Sequence, residues 1–232
     1  MLPYNNDLGG SDKGKVLIII PCYRCLPELI EVVEGCRSFG FNVLVVNDGS
    51  GEDVNKVCES RGVYCLDLGR NFGKGYALRE GFKWGLERGY EIFITLDGDG
   101  QHNPKHIPEF LKLSESFDIV IGSRRKSIKR MEFKRWLSNR ITSSFISVMT
   151  GRRIEDSQSG YRMIKAEVLK RVNLKRNRYD AESELLVKAV WMGFKVGFVP
   201  IDVIRSEKSF IQPFRDVFLA ISLALELIIS KA

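Results

Sequence analysis

Apolar residues follow two rhythms along the first half of this chain. Val16 to Ile20 is an unbroken apolar run, entered from Lys15 and closed by Pro21. A run this short and this apolar predicts a strand buried on both faces, over 15–20. Leu29, Val32, Val33 and Cys36 then recur at helical spacing within Leu26–Phe39, and Gly40 ends the pattern. Asn42–Val46 repeats the strand signal and is followed by the turn Asn47-Asp48-Gly49-Ser50. Beyond it the pattern predicts a helix over Asp53–Arg61 and a strand over Val63–Leu66. A helix over Gly73–Arg88 carries Ala77, Leu78, Phe82 and Leu86 on one side, and a strand over Glu91–Leu96 follows. Pro104–Ser114 reads as a helix with proline at its start, where a missing N–H costs nothing, and Asp118–Ile121 as a fifth strand. Strand and helix alternating with short links is the signature of an α/β fold, a mostly parallel sheet with helices on both faces. Ligands of such sheets sit at the carboxyl ends of the strands. Tyr23, Asp48, Asp97 and Asp99 all fall at such ends.

The second half is less regular. Phe133–Met149 is amphipathic, with Phe133, Trp136, Leu137, Ile141, Phe145, Val148 and Met149 set against Lys134, Arg135, Ser138 and Asn139. Such a helix suits a membrane interface, with basic residues toward headgroups and Trp136 and Phe133 at the boundary. A polar turn over Asp156–Arg162, a helix near Ala181–Met192, a strand over Lys195–Val199 and a C-terminal helix follow. No repeat, low-complexity stretch or linker divides the chain. The expected organisation is a flexible tail over 1–14, one domain over 15–212 and an apolar helix over 213–232.

Charge sharpens the picture. The 232 residues carry a net +7, yet 124–153 alone holds ten basic residues against one acid, Glu132, so that segment is +9 and the remainder −2. One concentrated basic segment favours an anionic partner: small-molecule phosphates, anionic headgroups or nucleic acid. Five cysteines, all between Cys22 and Cys65, point to a reducing compartment. No apolar leader is visible before Lys15. The apolar stretch Val217–Ile229 is shorter than a bilayer span and carries the narrow polar stripe Ser222, Glu226 and Ser230. It is expected to be covered by self-association, by an anchoring subunit or by a membrane surface.

The strongest chemical signal is Leu96-Asp97-Gly98-Asp99-Gly100-Gln101. A buried strand delivers two carboxylates, two residues apart, into a cleft, with glycines that permit close approach and the Gln101 carbonyl beside them. Hard oxygens of this kind suit Mg²⁺ or Mn²⁺ shared with a diphosphate; the bland reading is a polar turn closing a strand. Asp48 suits a nucleobase or ribose contact, or simply starts a turn. Gly73-Lys74-Gly75 opens a helix, where free N–H groups favour an anion, but it is neither a P-loop nor a dinucleotide fingerprint. Cys22-x-x-Cys25 with His102 and His106 has no spacing typical of zinc sites.

In this order, Ile19-Ile20-Pro21-Cys22-Tyr23, Asn47-Asp48-Gly49-Ser50, Asn71 with Gly73-Lys74-Gly75, Asp97-Gly98-Asp99-Gly100-Gln101-His102, Gly122-Ser123-Arg124, Asp156–Arg162 and Glu184-Leu185-Leu186 resemble the family 2 glycosyltransferases of GT-A fold. They are most similar to the polyprenyl-phosphate (dolichyl-phosphate) mannose or glucose synthases, over roughly residues 15–215. The resemblance implies a metal-dependent, inverting transfer of a hexose from GDP-mannose or UDP-glucose to a polyprenyl phosphate at the cytoplasmic membrane face. It implies that Pro21, Tyr23, Asp48, Lys74, Gly98 and Arg205 hold the nucleotide sugar. Asp97, Asp99 and Gln101 would hold Mg²⁺ or Mn²⁺, and Arg124 and Arg135 would face donor or acceptor phosphate. The chain departs from the family pattern at Arg24-Cys25, where Asn-Glu is usual, and at Asn47, where an aspartate is usual. Its late basic motif, Arg205–Ser209, is about one residue shorter.

A phosphate monoester acceptor is largely dianionic at neutral pH and needs cations more than a base, which accounts for the +9 segment. A sugar-hydroxyl acceptor would need a carboxylate base, for which Asp156 and Glu184 are the candidates. A sugar nucleotidyltransferase and a basic nucleic-acid binder are the rival readings. The first lacks a glycine-rich, arginine-bearing loop at the first strand, and the second leaves the acidic pair unexplained. No nucleic-acid partner is expected.

Overall fold

The computed structural model describes residues 14–125, 133–178, 180–202 and 204. A seven-stranded sheet organises them, comprising β1 (Val16–Cys22), β2 (Asn42–Asn47), β3 (Tyr64–Asp67), β4 (Ile92–Thr95), β5 (Ile119–Ser123), β6 (Arg162–Lys165) and β7 (Val196–Pro200) in the order β3-β2-β1-β4-β6-β5-β7. Every neighbouring pair is parallel except those of β6, which runs against both β4 and β5. The helices are α1 (Leu26–Arg37), α2 (Glu52–Arg61), α3 (Lys74–Glu87), α4 (Ile107–Leu113), α5 (Phe133–Thr150), α6 (Ala166–Arg171) and α7 (Asp180–Trp191).

The predicted strands and helices of the first half are all present, within one to three residues at their ends. The helix expected from Pro104 begins as a 3₁₀ turn over Pro104–His106, capped by the Asn103 side chain, before α4 takes over. β1 is buried on both faces because its alternate residues serve two cores. Val16, Ile18 and Ile20 pack with Leu29 and Val33 of α1 and with Ile107 and Phe110 on one side. Leu17 and Ile19 pack with Ala77 and Phe82 of α3 and with Leu185 of α7 on the other. Each such fully buried aliphatic side chain contributes ~1.5–3 kcal/mol of burial free energy. That burial fixes the register in which β1, β2 and β4 end together.

One expectation is corrected. The turn predicted over Asp156–Arg162 ends in a strand, β6, because Arg162 is buried to 1% exposure with its guanidinium on the carbonyls of Ser157, Ser159 and Glu182. α5 turns its hydroxyl and amide side inward, together with Ile146. Ser138, Asn139, Thr142 and Ser143 are buried, whereas Leu137, Ile141 and Val148 stand 40%, 47% and 83% exposed. Ser143 Oγ donates to Ser157 Oγ and accepts from the Ser157 N–H, so the inward hydroxyls fasten the helix to the segment that leads into β6. The tail over 1–14 (apart from Gly14) and the helix expected over 213–232 lie outside the described residues. Among the described residues no helix is long and apolar enough to cross a membrane.

Candidate active site

The carboxyl ends of β1, β2 and β4 open into one cleft, closed from the far side by the N-termini of α3 and α7 and by the segment 156–161. Asp97 leaves β4 into the middle of it. Its Oδ1 lies 2.6 Å from Lys74 Nζ at the start of α3, and the same ammonium lies 3.2 Å from Glu182 Oε2 of α7. Burial pushes the Asp97 carboxyl up, but Lys74 foremost, with His102 and Arg124, carries it down to about 2, so it is ionised at neutral pH. His102 Nδ1 faces the other oxygen at 3.8 Å. Burial outweighs the Asp97 charge and holds His102 near 4, as a neutral imidazole.

Gly160 makes room for this cluster. A Cβ there would stand 2.6 Å from both Asp97 Oδ2 and Lys74 Nζ, so only glycine lets the pair close. The Gly160 carbonyl is held in turn by the Thr95 hydroxyl at 2.7 Å.

Asp99 turns the other way and accepts from the Gln101 N–H and from Gln101 Nε2, at 3.1 and 2.9 Å. Gly100 between them has φ 72°, a conformation that favours glycine. Gly98 also has a structural reason. A Cβ on it would meet Cys25 Sγ at 2.8 Å and the Pro21 carbonyl at 3.3 Å, so its missing side chain lets β4 settle on the end of β1.

Asp48 is 2% exposed and its two oxygens accept from the N–H groups of Phe72 and Gly73 at 2.7 and 2.9 Å. Burial, partly offset by those two bonds, pushes its carboxyl up. It thus ties the loop before α3 to the end of β2. Pro21 and Tyr23 lie half-buried at the rim of the same cleft.

Arg124 does not stand open at the cleft as a phosphate clamp. It is buried, with Nε and Nη2 donating to the two oxygens of Asp156 at 2.8 Å each and its backbone N–H adding a third bond at 3.1 Å. Burial opposes its charge, but Asp156 more than restores it, so Arg124 acts on the cleft as a fixed positive charge behind Asp97. The Arg135 side chain and all of Arg205 lie outside the described residues.

The two base candidates are both occupied. Asp156 is spent on Arg124, and Glu184 accepts from the N–H groups of Lys175 and Arg176 and pairs with Lys188. The acid that does line the cleft, Glu182, was not among the sequence candidates. Its neighbours Asp180 and Glu184 are spaced identically, and nothing local singles out the one that reaches Lys74.

Among the described residues no three His, Cys, Asp or Glu side chains converge as a metal cage. The donor chemistry at the end of β4 nevertheless fits a divalent ion that completes its shell with phosphate and water. Asp97 is held ionised and Asp99 is half-buried at the cleft. Turning the Gln101 amide over would put its carbonyl, in place of its NH₂, beside Asp99. The Cys22, Cys25, His102 and His106 combination does not form: the two sulfurs face each other, and His106 sits by Glu109 and Asp202.

A parallel sheet interrupted by one reversed strand, with an acidic pair after β4 and a cleft across the strand ends, is the arrangement of the GT-A fold. Solved structures share this fold: mannosyl-3-phosphoglycerate synthase from Rubrobacter xylanophilus superposes at TM-score 0.75 with 14% identity, covering 94% of this chain and 74% of that one. Glucosyl-3-phosphoglycerate synthase from Mycobacterium tuberculosis, crystallised with phosphoglyceric acid, gives 0.73 and 14% over 92% and 79%. The sequence pattern of glycosyl transferase family 2 matches residues 17–172, and the chain belongs to that family; it is an enzyme that transfers a sugar. Similar sequences include a protein of Methanocaldococcus jannaschii, 31% identical over 90% of this chain and 89% of its own length. The undecaprenyl-phosphate mannosyltransferase of Micrococcus luteus is 30% identical over 83% and 85%. The polyprenol monophosphomannose synthase of Mycolicibacterium smegmatis is 28% identical over 83% and 78%.

Proposed function

We propose that this enzyme transfers a hexose from a nucleotide diphosphate sugar, GDP-mannose or UDP-glucose, to a polyprenyl phosphate at a membrane surface. The observation that carries the reading is the outward apolar side of α5. Leu137, Ile141 and Val148 face away from the protein, with Arg140 exposed among them, in the part of the chain where the basic residues concentrate. A helix that offers aliphatic side chains and cations together suits an anionic lipid surface, and the two named mannosyltransferases above act on lipid phosphates.

The acceptor chemistry points the same way. Asp156 and Glu184 are engaged with other groups, and a phosphate oxygen needs no base to attack. That oxygen displaces the nucleoside diphosphate from the anomeric carbon, with inversion. Asp97, Asp99 and the Gln101 carbonyl are the groups that would hold Mg²⁺ or Mn²⁺, which supplies charge neutralisation at the departing diphosphate. Lys74 and Arg124 add fixed positive charge around Asp97. Pro21, Tyr23, Asp48 and Gly98 form the donor side of the cleft; Arg135 and Arg205 are assigned to the phosphates by resemblance.

The test incubates the protein with radiolabelled GDP-mannose or UDP-glucose, Mn²⁺ and either polyprenyl phosphate or a soluble glycan. Label in the lipid extract, dependent on the lipid phosphate, is the expected result; label confined to the soluble glycan overturns the acceptor assignment. Flotation with anionic vesicles at low salt tests the peripheral attachment, and failure to co-migrate counts against it.

A further inference from the structure

The Cys22-x-x-Cys25 pair takes no part in the chemistry above, yet the fold builds it into the floor of the cleft. Cys22 ends β1, in register with Asn47 of β2, and Cys25 caps the start of α1. Between them Arg24 adopts φ 55°, the one positive φ outside glycine among the described residues, and its N–H is held by Ser50 Oγ at 2.9 Å. This turn, unfavourable for a side chain of that size, folds the loop so that Cys25 Sγ donates to Cys22 Sγ at 2.8 Å. Cys25 Sγ is also the first atom that a Cβ on Gly98 would meet, at 2.8 Å, between Asp97 and Asp99.

We propose that Cys22 and Cys25 are a reversible modification site, a dithiol that a peroxide closes to a disulfide, and that closure loosens the Asp97-Gly98-Asp99 turn. The chemistry is a two-electron oxidation of the sulfurs. The Cys22 thiolate attacks the peroxide, breaking the O–O bond to give a sulfenic acid and hydroxide. Cys25 sulfur then displaces the sulfenic oxygen, which leaves as water once the thiol proton is transferred. The sum is two thiols and one hydrogen peroxide to one disulfide and two waters, and a small dithiol reverses it by exchange.

The sulfurs are placed for it. Cys25 hydrogen-bonds to Cys22 and so favours the Cys22 thiolate, lowering that pKa against the effect of burial, and the resolving thiol is already in contact. Both residues are nearly closed to solvent, Cys22 at 1% and Cys25 at 7% exposure, which selects a small oxidant over a bulky disulfide. Closing the contact to an S–S bond of about 2.05 Å draws Cys25 Sγ toward Cys22 and so changes the packing beneath Gly98.

The effect on catalysis rests on the proposed function, so the test reads mass and amide exchange, which report the disulfide whether or not the cleft takes a sugar nucleotide. Full-length protein is treated with hydrogen peroxide, alkylated, digested and mapped, and hydrogen exchange is followed with and without a later dithiothreitol step. The expected result is a loss of two hydrogens confined to the peptide holding Cys22 and Cys25. With it comes several-fold faster exchange across residues 96–101, reversed by dithiothreitol and absent in Cys25→Ser and in Cys25→Ala. Oxidation that links Cys58 to Cys65 instead, both thiols still open to alkylation after peroxide, or unchanged exchange across 96–101 in the disulfide form, would each overturn the proposal.

Discussion

Replacing Asp156 with asparagine removes the charge opposite Arg124 and leaves the rest of the fold in place. Asp156 has no exposed surface and accepts three hydrogen bonds from Arg124, two from the guanidinium and one from the backbone. Asparagine keeps one acceptor oxygen but turns an NH₂ towards a guanidinium N–H, so one bond becomes a donor–donor contact and the cation is left uncompensated. Breaking a buried pair from one side costs ~3–5 kcal/mol. The surviving acceptor places Asp156→Asn near the lower end, ~3 kcal/mol, equivalent to a fall in Tm of roughly 6–12 °C for a domain of this size. Urea unfolding followed by circular dichroism measures it, provided the slope of the transition is unchanged. The pH dependence follows from the pair. Burial pushes the Asp156 carboxyl up and Arg124 outweighs it, so the folded value lies below the ordinary carboxylate range. Its contribution is therefore fully present above the unfolded value of about 4 and lost as pH falls through the lowered folded value. The gap between wild type and Asp156→Asn should be flat from pH 5 to 8 and shrink only in acid. A gap below ~0.5 kcal/mol at pH 7, or one that closes near neutrality, would refute the buried-pair account. Arg124→Met with Asp156→Leu, which removes both charges, should recover much of the loss.

Other outcomes follow from the same geometry. Thermal stabilisation by GDP or UDP should gain an increment from Mn²⁺ that Asp99→Ala abolishes; an unchanged increment would remove Asp99 from the site. In metal-free buffer, Lys74→Met should destabilise the fold at pH 7, because Lys74 is foremost among the cations that hold the Asp97 carboxyl at about 2. That cost should fade as pH drops from 4 towards 2, and a pH-independent cost would point to packing instead. Gly160→Ala should weaken nucleotide binding at least tenfold by separating Asp97 from Lys74, read by calorimetry, with a wild-type affinity counting against the close contact. Changing Leu137, Ile141 and Val148 to serine should lower Tm by no more than about 3–6 °C, since each exposed site contributes within about 0.5 kcal/mol, while vesicle flotation is lost.

The parts of this fold that could be read from the sequence are those in which one residue decides one local outcome. β1 announces itself because every residue from Val16 to Ile20 faces a core, and Asp97 and Asp99 stand out because they follow a buried strand directly. β6 stayed hidden because its first residue is an arginine, whose burial is made tolerable by carbonyls at 157, 159 and 182 that meet only in the folded chain. The orientation of α5 was legible as a pattern but not as a direction. An amphipathic helix has two sides, and the hydroxyls of Ser138, Thr142 and Ser143 found their partners in a distant turn. Glu182 and Gly160 belong to the same class: their roles exist only once α3, α7 and the end of β4 meet at Lys74.

The reversal of β6 also limits how this chain can be divided. A fragment ending at residue 125 would retain β3, β2, β1 and β4, yet β5 would have no strand to join. The flank of β4 that now pairs with β6 would be a bare, apolar edge open to strand addition by other copies. Gly160, which leaves the room in which Asp97 meets Lys74, would be missing too. The first half of the enzyme is therefore not a separable module. Attempts to express it alone should yield aggregate, and any chimera that transplants it will have to carry residues 156–165 along.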